Sequence, residues 1–501
     1  MKISQIYNLN KQQYELDFVD IDINDELPLF LDAYIFSVKD DLWSKKCNSI
    51  IEDFFRKVIE YIKLDQKEEL QKICTPLSEP NETCLGYSNG EPKGAFKSVE
   101  DIINIFLRLY ELQKENSNVS DVIKTLSDMK IYIKGVGNDT ISDIITNLIR
   151  LQLIDYTNQQ CEIHNIKTTR KKSLPYWNNI TSQWETIDDI QQLIIQDKRK
   201  LLVPKNIVFL EKHYTFKKDY FVQHDVLDFL TERELRIPKS PLIQYKVPKG
   251  DQIQGDPYVT KKDIRERDDV DNKDFLLEFS SKYPLIMENF RKKEHFRALN
   301  IIELFEVNNQ TITTDDYNKI IDAFIEELKS IPTGKEYAYE YHDYILGLLS
   351  FIFYPSLSHP KKETPIDDDR KRIDICYSNT AEKGFFRNLK TEITSNYIYV
   401  ECKNYSNDVS NPEFDQLAGR FNASSSKVGL LVCREIKDMD MALKRVSAQY
   451  RRKNELILII TDELIIEMLN KKRMSDIENV PKYNHEYTLV NLKRMIEVEK
   501  Y

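Results

Sequence analysis

Four short runs of strand-forming residues, near 371–377, 397–403, 428–433 and 456–460, stand among longer stretches of helical apolar spacing near 413–422, 438–452 and 462–472. That alternation restricts the last third of the chain to a sheet flanked by helices, because neither element buries its apolar side alone. A long apolar helix is expected over 335–353, opened by Pro332-Thr333-Gly334 and closed before Pro355. The order α-β-β-α-β predicts an α/β (α+β) unit with a mixed sheet over residues 331–501.

Chemistry enters where Tyr397-Ile398-Tyr399-Val400 runs straight into Glu401-Cys402-Lys403-Asn404. Successive strand side chains point to opposite faces, so Glu401 and Lys403 share one face and Cys402 turns to the other. The preceding strand, Arg372-Ile373-Asp374-Ile375, carries a second acid. If that strand is the antiparallel neighbour, the Asp374 and Glu401 carboxylates lie side by side and form a hard-oxygen site suited to Mg²⁺ or Mn²⁺. A metal there polarises a phosphoryl oxygen and lowers the pKa of bound water, and the Lys403 ammonium stabilises charge in the transition state. The pattern therefore points to metal-dependent phosphodiester hydrolysis. The plainer alternative is a solvated Glu–Lys pair on an edge strand.

Asp374, Glu401-x-Lys403 and Gln416 on the following helix together resemble the PD-(D/E)xK nuclease superfamily, in particular its Mrr-type, restriction-endonuclease-like branch. The stretch 397–434, reading YIYVECKNYSNDVSNPEFDQLAGRFNASSSKVGLLVCR, carries most of the likeness, which extends over roughly residues 330–480. Ile373 rather than Pro precedes Asp374, and a long excursion, 378–395, separates the two acidic strands. The resemblance implies a restriction-endonuclease-like core and a Mg²⁺-dependent (or Mn²⁺-dependent) DNA endonuclease of restriction or antiphage defence. It implies that Asp374, Glu401 and the Cys402 carbonyl hold the metal and that Glu340, on the helix before the first core strand, completes the shell directly or through water. Lys403 would stabilise charge or position the water, and Gln416 would orient Lys403 or a phosphate. Glu336 and Asp343 lie on about the same helical face as Glu340 and compete for its place. Two alternatives are a nuclease acting on RNA or branched DNA, since junction resolvases share this core, and a non-catalytic nucleic-acid-binding scaffold.

Composition narrows the partners. The net charge is −10, and residues 331–501 hold 26 basic and 26 acidic residues while residues 1–330 hold 46 and 56. An acidic first two thirds disfavours charge-driven coating of DNA, so contact with DNA must come from a local basic groove. Seven cysteines without a C-x-x-C spacing argue against a disulfide framework and for a reducing cytoplasm. Cys161 and His164 form a lone C-x-x-H, better explained as loop residues than as a zinc site. No 18-residue apolar stretch occurs and the N-terminus has no apolar core, so a cytoplasmic protein without a membrane anchor is expected.

Residues 1–200 read as a mostly helical recognition or regulatory region and 201–330 as a helical middle region. Ile50, Phe54, Phe55, Val58, Ile59 and Ile62 have helical spacing, and Ser98 with Asp101 suggests a capping box. The glycine-rich loop 86–94 lacks the Gly-Lys-Ser/Thr ending of a phosphate-binding loop, so no nucleotide cofactor and no motor is expected. The basic runs 167–172 and 198–200 are candidate DNA-backbone contacts or solvated faces, as are Lys444, Arg445, Arg451, Arg452 and Lys453. Pro238, Pro241, Pro248, Gly250, Gly255 and Pro257 mark an irregular boundary segment. The first 330 residues are large enough to bind an activator or a modified base, or to form a homo-oligomer.

Overall fold

The computed structural model describes residues 1–77, 80–86, 99–115, 118–171, 174–210, 216–247, 255–297, 313–366, 371–406, 409, 411–473 and 484–498. Residues 87–94 of the glycine-rich loop, Ser98 of the expected capping box, Lys172, Pro248 and Gly250 lie outside the described residues. Within them the protein is of mixed α/β class, with a five-stranded sheet in the C-terminal part and helices dominating elsewhere.

The N-terminal part is built on the helix Leu42–Lys63, which starts where the Asp41 carboxylate accepts the Ser44 N–H at 2.9 Å and buries Ile50, Phe54, Phe55, Val58 and Ile62 along one stripe. A hairpin of Leu174–Asn178 and Gln183–Ile187 covers it, with Trp177 opposite Trp184 and the Phe54 ring 5.0 Å from Trp177. In the basic run 198–200, a short strand, Lys198 is exposed, while Arg199 pairs with Glu82 at 2.8 Å and Lys200 is buried.

Apolar packing divides the chain differently from the expected boundaries at 200 and 330. One buried cluster runs from Ile3 to Phe290 without a break at residue 200 or across the Pro/Gly-rich segment. A second gathers residues from Tyr317 to Ile496 together with Ile163, so the helix Thr314–Ser330 packs with the C-terminal sheet through Tyr317, Ile321, Phe324 and Leu328. The described chain is thus two-cored, with the change falling between Phe290 and Tyr317.

The C-terminal unit runs α1 (Ala338–Phe353), β1 (Leu357–Ile366), β2 (Lys371–Asn379), α2 (Gly384–Glu392), β3 (Tyr397–Lys403), α3 (Asn411–Ala418), β4 (Val428–Cys433), α4 (Met439–Lys453), β5 (Leu456–Thr461), α5 (Asp462–Lys472) and α6 (Tyr487–Val498). The strands lie in the order β1-β2-β3-β4-β5; β1, β2 and β3 pair antiparallel, and β4 and β5 continue parallel to β3. β4 and β5 are buried throughout, the condition for strands covered on both faces. The excursion between the acidic strands holds α2, anchored by Phe385, Phe386 and Leu389.

Two local features fix this sheet in place. β1 contains Pro360 and Pro365 and pairs only with β2, as an edge strand can; a break in register between Ser358 and Lys361 releases His359, at φ 52°, from the ladder. His359 then enters the first core: its N–H donates to Asp17 Oδ2 at 3.0 Å, and its ring lies 4.9 Å from Trp43 and 5.7 Å from Tyr156. On β4, Gly429 lets α3 approach, since a Cβ there would meet the Leu417 methyl carbons at 2.9 Å. Gly429→Val should therefore push α3 from the sheet and lower stability by about 1–3 kcal/mol in urea unfolding; an unchanged midpoint would show that α3 does not pack this closely.

Candidate active site

The register places the two acids together. Ile375 pairs with Val400 and Cys376 with Tyr399, so one further step sets Asp374 across from Glu401 on the same face. The ladder ends at Ile375, and Asp374 Oδ2 instead accepts the Cys402 N–H at 3.0 Å. The start of α1 is tied to the same strand end: Gly334 N–H donates to the Asn404 carbonyl at 3.0 Å, and the Asn404 amide donates back to the Pro332 and Gly334 carbonyls.

Glu401 is fully buried, and a buried carboxylate requires opposite charge. Two cations supply it. Lys403 Nζ lies 2.7 Å from Glu401 Oε1, and the Arg420 guanidinium pairs with Oε2. Arg420 follows α3 and is itself buried, while its neighbour Phe421 stacks on Tyr399 of β3 at 6.3 Å and holds the segment against the sheet. Burial lowers the Arg420 pKa and the Asp374 charge raises it; a guanidinium remains charged at neutral pH all the same. Gln416 is exposed on α3 and accepts a hydrogen bond from Lys403 Nζ at 3.3 Å. Asp374, Glu401, Lys403 and Gln416 are therefore one cluster.

Glu340 is not joined to it. It is exposed in the first turn of α1, and among the described residues no hydrogen bond or ion pair links it to Asp374, Glu401 or Lys403. Glu336 is also exposed, and Asp343 lies 3.7 Å from both Lys11 and Lys362. The α1 residue that reaches the site is His342, which hydrogen-bonds the Cys402 backbone; burial holds its imidazole below the ordinary histidine pKa, against the Asp374 charge and that hydrogen bond. His342 follows Glu340 by two residues, so the two side chains leave nearly opposite sides of α1.

Among the described residues no group of three or more His, Cys, Asp and Glu side chains could hold a metal ion. The donors present are the Asp374 and Glu401 carboxylates and the Cys402 main chain. They fit Mg²⁺, which binds through one or two carboxylates and keeps waters and substrate phosphates as its remaining ligands. The Cys402 side chain is a buried apolar thiol whose pKa burial raises far above the usual value, so it is no ligand in this form.

The basic groups separate by sheet edge. Lys403 is in register with Cys433 at the carboxyl ends of β3 and β4, where Arg434 follows and pairs with Asp462 at 2.9 Å. Arg451, Arg452 and Lys453 end α4 just before β5 begins, at the opposite edge, where Lys427 donates to the Lys453 carbonyl. The densest basic stretch of the C-terminal unit therefore does not line the Glu401 site. Among the described residues no helix is long and apolar enough to cross a membrane.

Residues 8–215 match the family model described as "Domain of unknown function (DUF8370)". A curated protein of Escherichia coli (strain K12), "Putative transposon gamma-delta 80.3 kDa protein", is 24% identical over 179 residues, which are 35% of this chain and 25% of that protein. The chain thus matches about a quarter of that relative's length. No solved structure matches.

Proposed function

We propose that the C-terminal unit is a metal-dependent endonuclease of the PD-(D/E)xK, restriction-endonuclease-like type, acting on DNA in the cytoplasm, and that residues 1–290 direct or restrain it. One observation carries this reading. Asp374 and Glu401 come side by side where β2 and β3 part, with Lys403 on the same face and Gln416 on its ammonium. A fully buried carboxylate with a lysine two residues on is more than a solvated edge pair requires.

Asp374 and Glu401 would hold Mg²⁺ or Mn²⁺, with the Cys402 carbonyl beside them. The metal would supply Lewis-acid activation of the phosphodiester and an acidified water. Lys403 carries fixed positive charge to the oxygens that become more negative during displacement, and Gln416 orients that ammonium. His342, kept neutral by burial, fixes the Cys402 main chain. The likeness to a transposon protein accords with DNA as substrate, and restriction or antiphage defence is the setting that the superfamily resemblance suggests.

Purified protein incubated with supercoiled plasmid, linear DNA, single-stranded DNA, branched DNA and RNA should cut plasmid and linear DNA with Mg²⁺ or Mn²⁺ and not with EDTA. Preferential loss of RNA or of branched DNA would move the substrate; absence of cleavage by any combination would leave a nucleic-acid-binding scaffold. Within this reading, His342→Ala should reduce cleavage by ~10-fold, the lower end of the range for losing an orienting partner, while Glu340→Ala should leave it nearly unchanged. The reverse order would return Glu340 to the metal shell.

A further inference from the structure

The Glu401 carboxylate already holds a cation, and it belongs to the chain. Arg420 and Lys403 balance Glu401 and Asp374 charge for charge, so a divalent ion entering beside them would leave an excess of two positive charges in a buried site. Lys403 leans outward to an exposed partner, Gln416. Arg420 is buried, and it sits on the carboxylate oxygen that Lys403 leaves open.

We propose that Arg420 is the resident counter-cation of the carboxylate site, that it and the divalent metal exclude each other at Glu401, and that metal binding therefore requires Arg420 to swing off Oε2. This rests on the metal-site reading above. Arg420 follows the eight-residue α3 and a glycine, Gly419, and a residue in such a turn can redirect its long side chain without unfolding a strand. A guanidinium released toward solvent also suits an incoming phosphate, which it can bind in a forked manner. The exclusion makes the competent state a minor one in the metal-free protein, and apparent metal affinity falls by the fraction of molecules with Arg420 displaced.

The test is direct metal binding to the whole chain, without DNA. Mn²⁺ binding is followed by the electron paramagnetic resonance of the free ion and by calorimetry, in wild type, Arg420→Gln, Arg420→Lys and Glu401→Gln. Arg420→Gln should bind Mn²⁺ about 10-fold or more tightly than wild type, and Mn²⁺ should raise its melting temperature further than it raises that of wild type. Arg420→Lys, which keeps the charge on a shorter reach and guards against misfolding of the glutamine variant, should fall between. Equal affinity in wild type and both Arg420 variants, with binding lost in Glu401→Gln, would overturn the exclusion and leave the metal site standing. No Mn²⁺ binding in any variant would overturn both.

Discussion

Lys403→Ala should leave the protein folded and reduce DNA cleavage by ~100-fold or more, the scale of losing one preorganised electrostatic donor. Lys403 is one of two cations on Glu401, and Arg420 stays in place when it is removed, so the buried carboxylate keeps a partner. The fold should therefore hold while the reaction fails. Supercoiled-plasmid cleavage with Mg²⁺, run beside a melting curve, measures both. Wild-type cleavage by the variant would remove Lys403 from the mechanism, and with it the reason for reading Glu401-Cys402-Lys403 as a nuclease strand.

Glu401→Ala should act on stability as well as on cleavage. It strands Arg420 in a buried position without its carboxylate and leaves Lys403 with Gln416 alone. Removing one partner of a buried ion pair destabilises by about 3–5 kcal/mol, far more than the pair itself contributes over apolar residues of similar size. Urea unfolding should show that loss, and Glu401→Ala/Arg420→Met, which takes away both charges, should recover most of it. A single variant within ~0.5 kcal/mol of wild type, the range of ordinary surface substitutions, would mean that the Glu401 site is wet and that its charges are not bound to one another.

Much of the C-terminal sheet was legible in the sequence because its last two strands are unbroken apolar runs. Val428–Cys433 and Leu456–Thr461 are buried from end to end, and such runs admit few other placements. β1 escaped notice for the opposite reason. Leu357–Ile366 carries two prolines and three charged residues, tolerable only at an edge where one side of the backbone needs no ladder partner. The site divides in the same way. Glu401, Lys403 and Asp374 follow from strand periodicity and an antiparallel neighbour. Gln416 was placed by family likeness and does reach Lys403. Arg420 could not be read: an arginine after a short helix has no pattern of its own, and only the folded chain brings it to Glu401, next to Phe421 stacked on Tyr399. Glu340 was placed by family likeness, with Glu336 and Asp343 as its competitors, whereas His342, on nearly the opposite side of the helix from Glu340, is the α1 residue that reaches the Cys402 backbone.

The displaced His359 makes the C-terminal sheet a plug and the first core its socket. Asp17, Trp43, Tyr156 and Asn206 form that socket, and all of them come from the first 206 residues. Asp40 reaches α2 in the same fashion, through Arg387 and Lys390. A graft of residues 331–501 onto a foreign recognition unit would carry the plug without its socket and would also lose the helix Thr314–Ser330 from its own core. Exchanging the first core for another therefore means redesigning the side chains on both sides of this contact, because the two cores are not interchangeable cassettes.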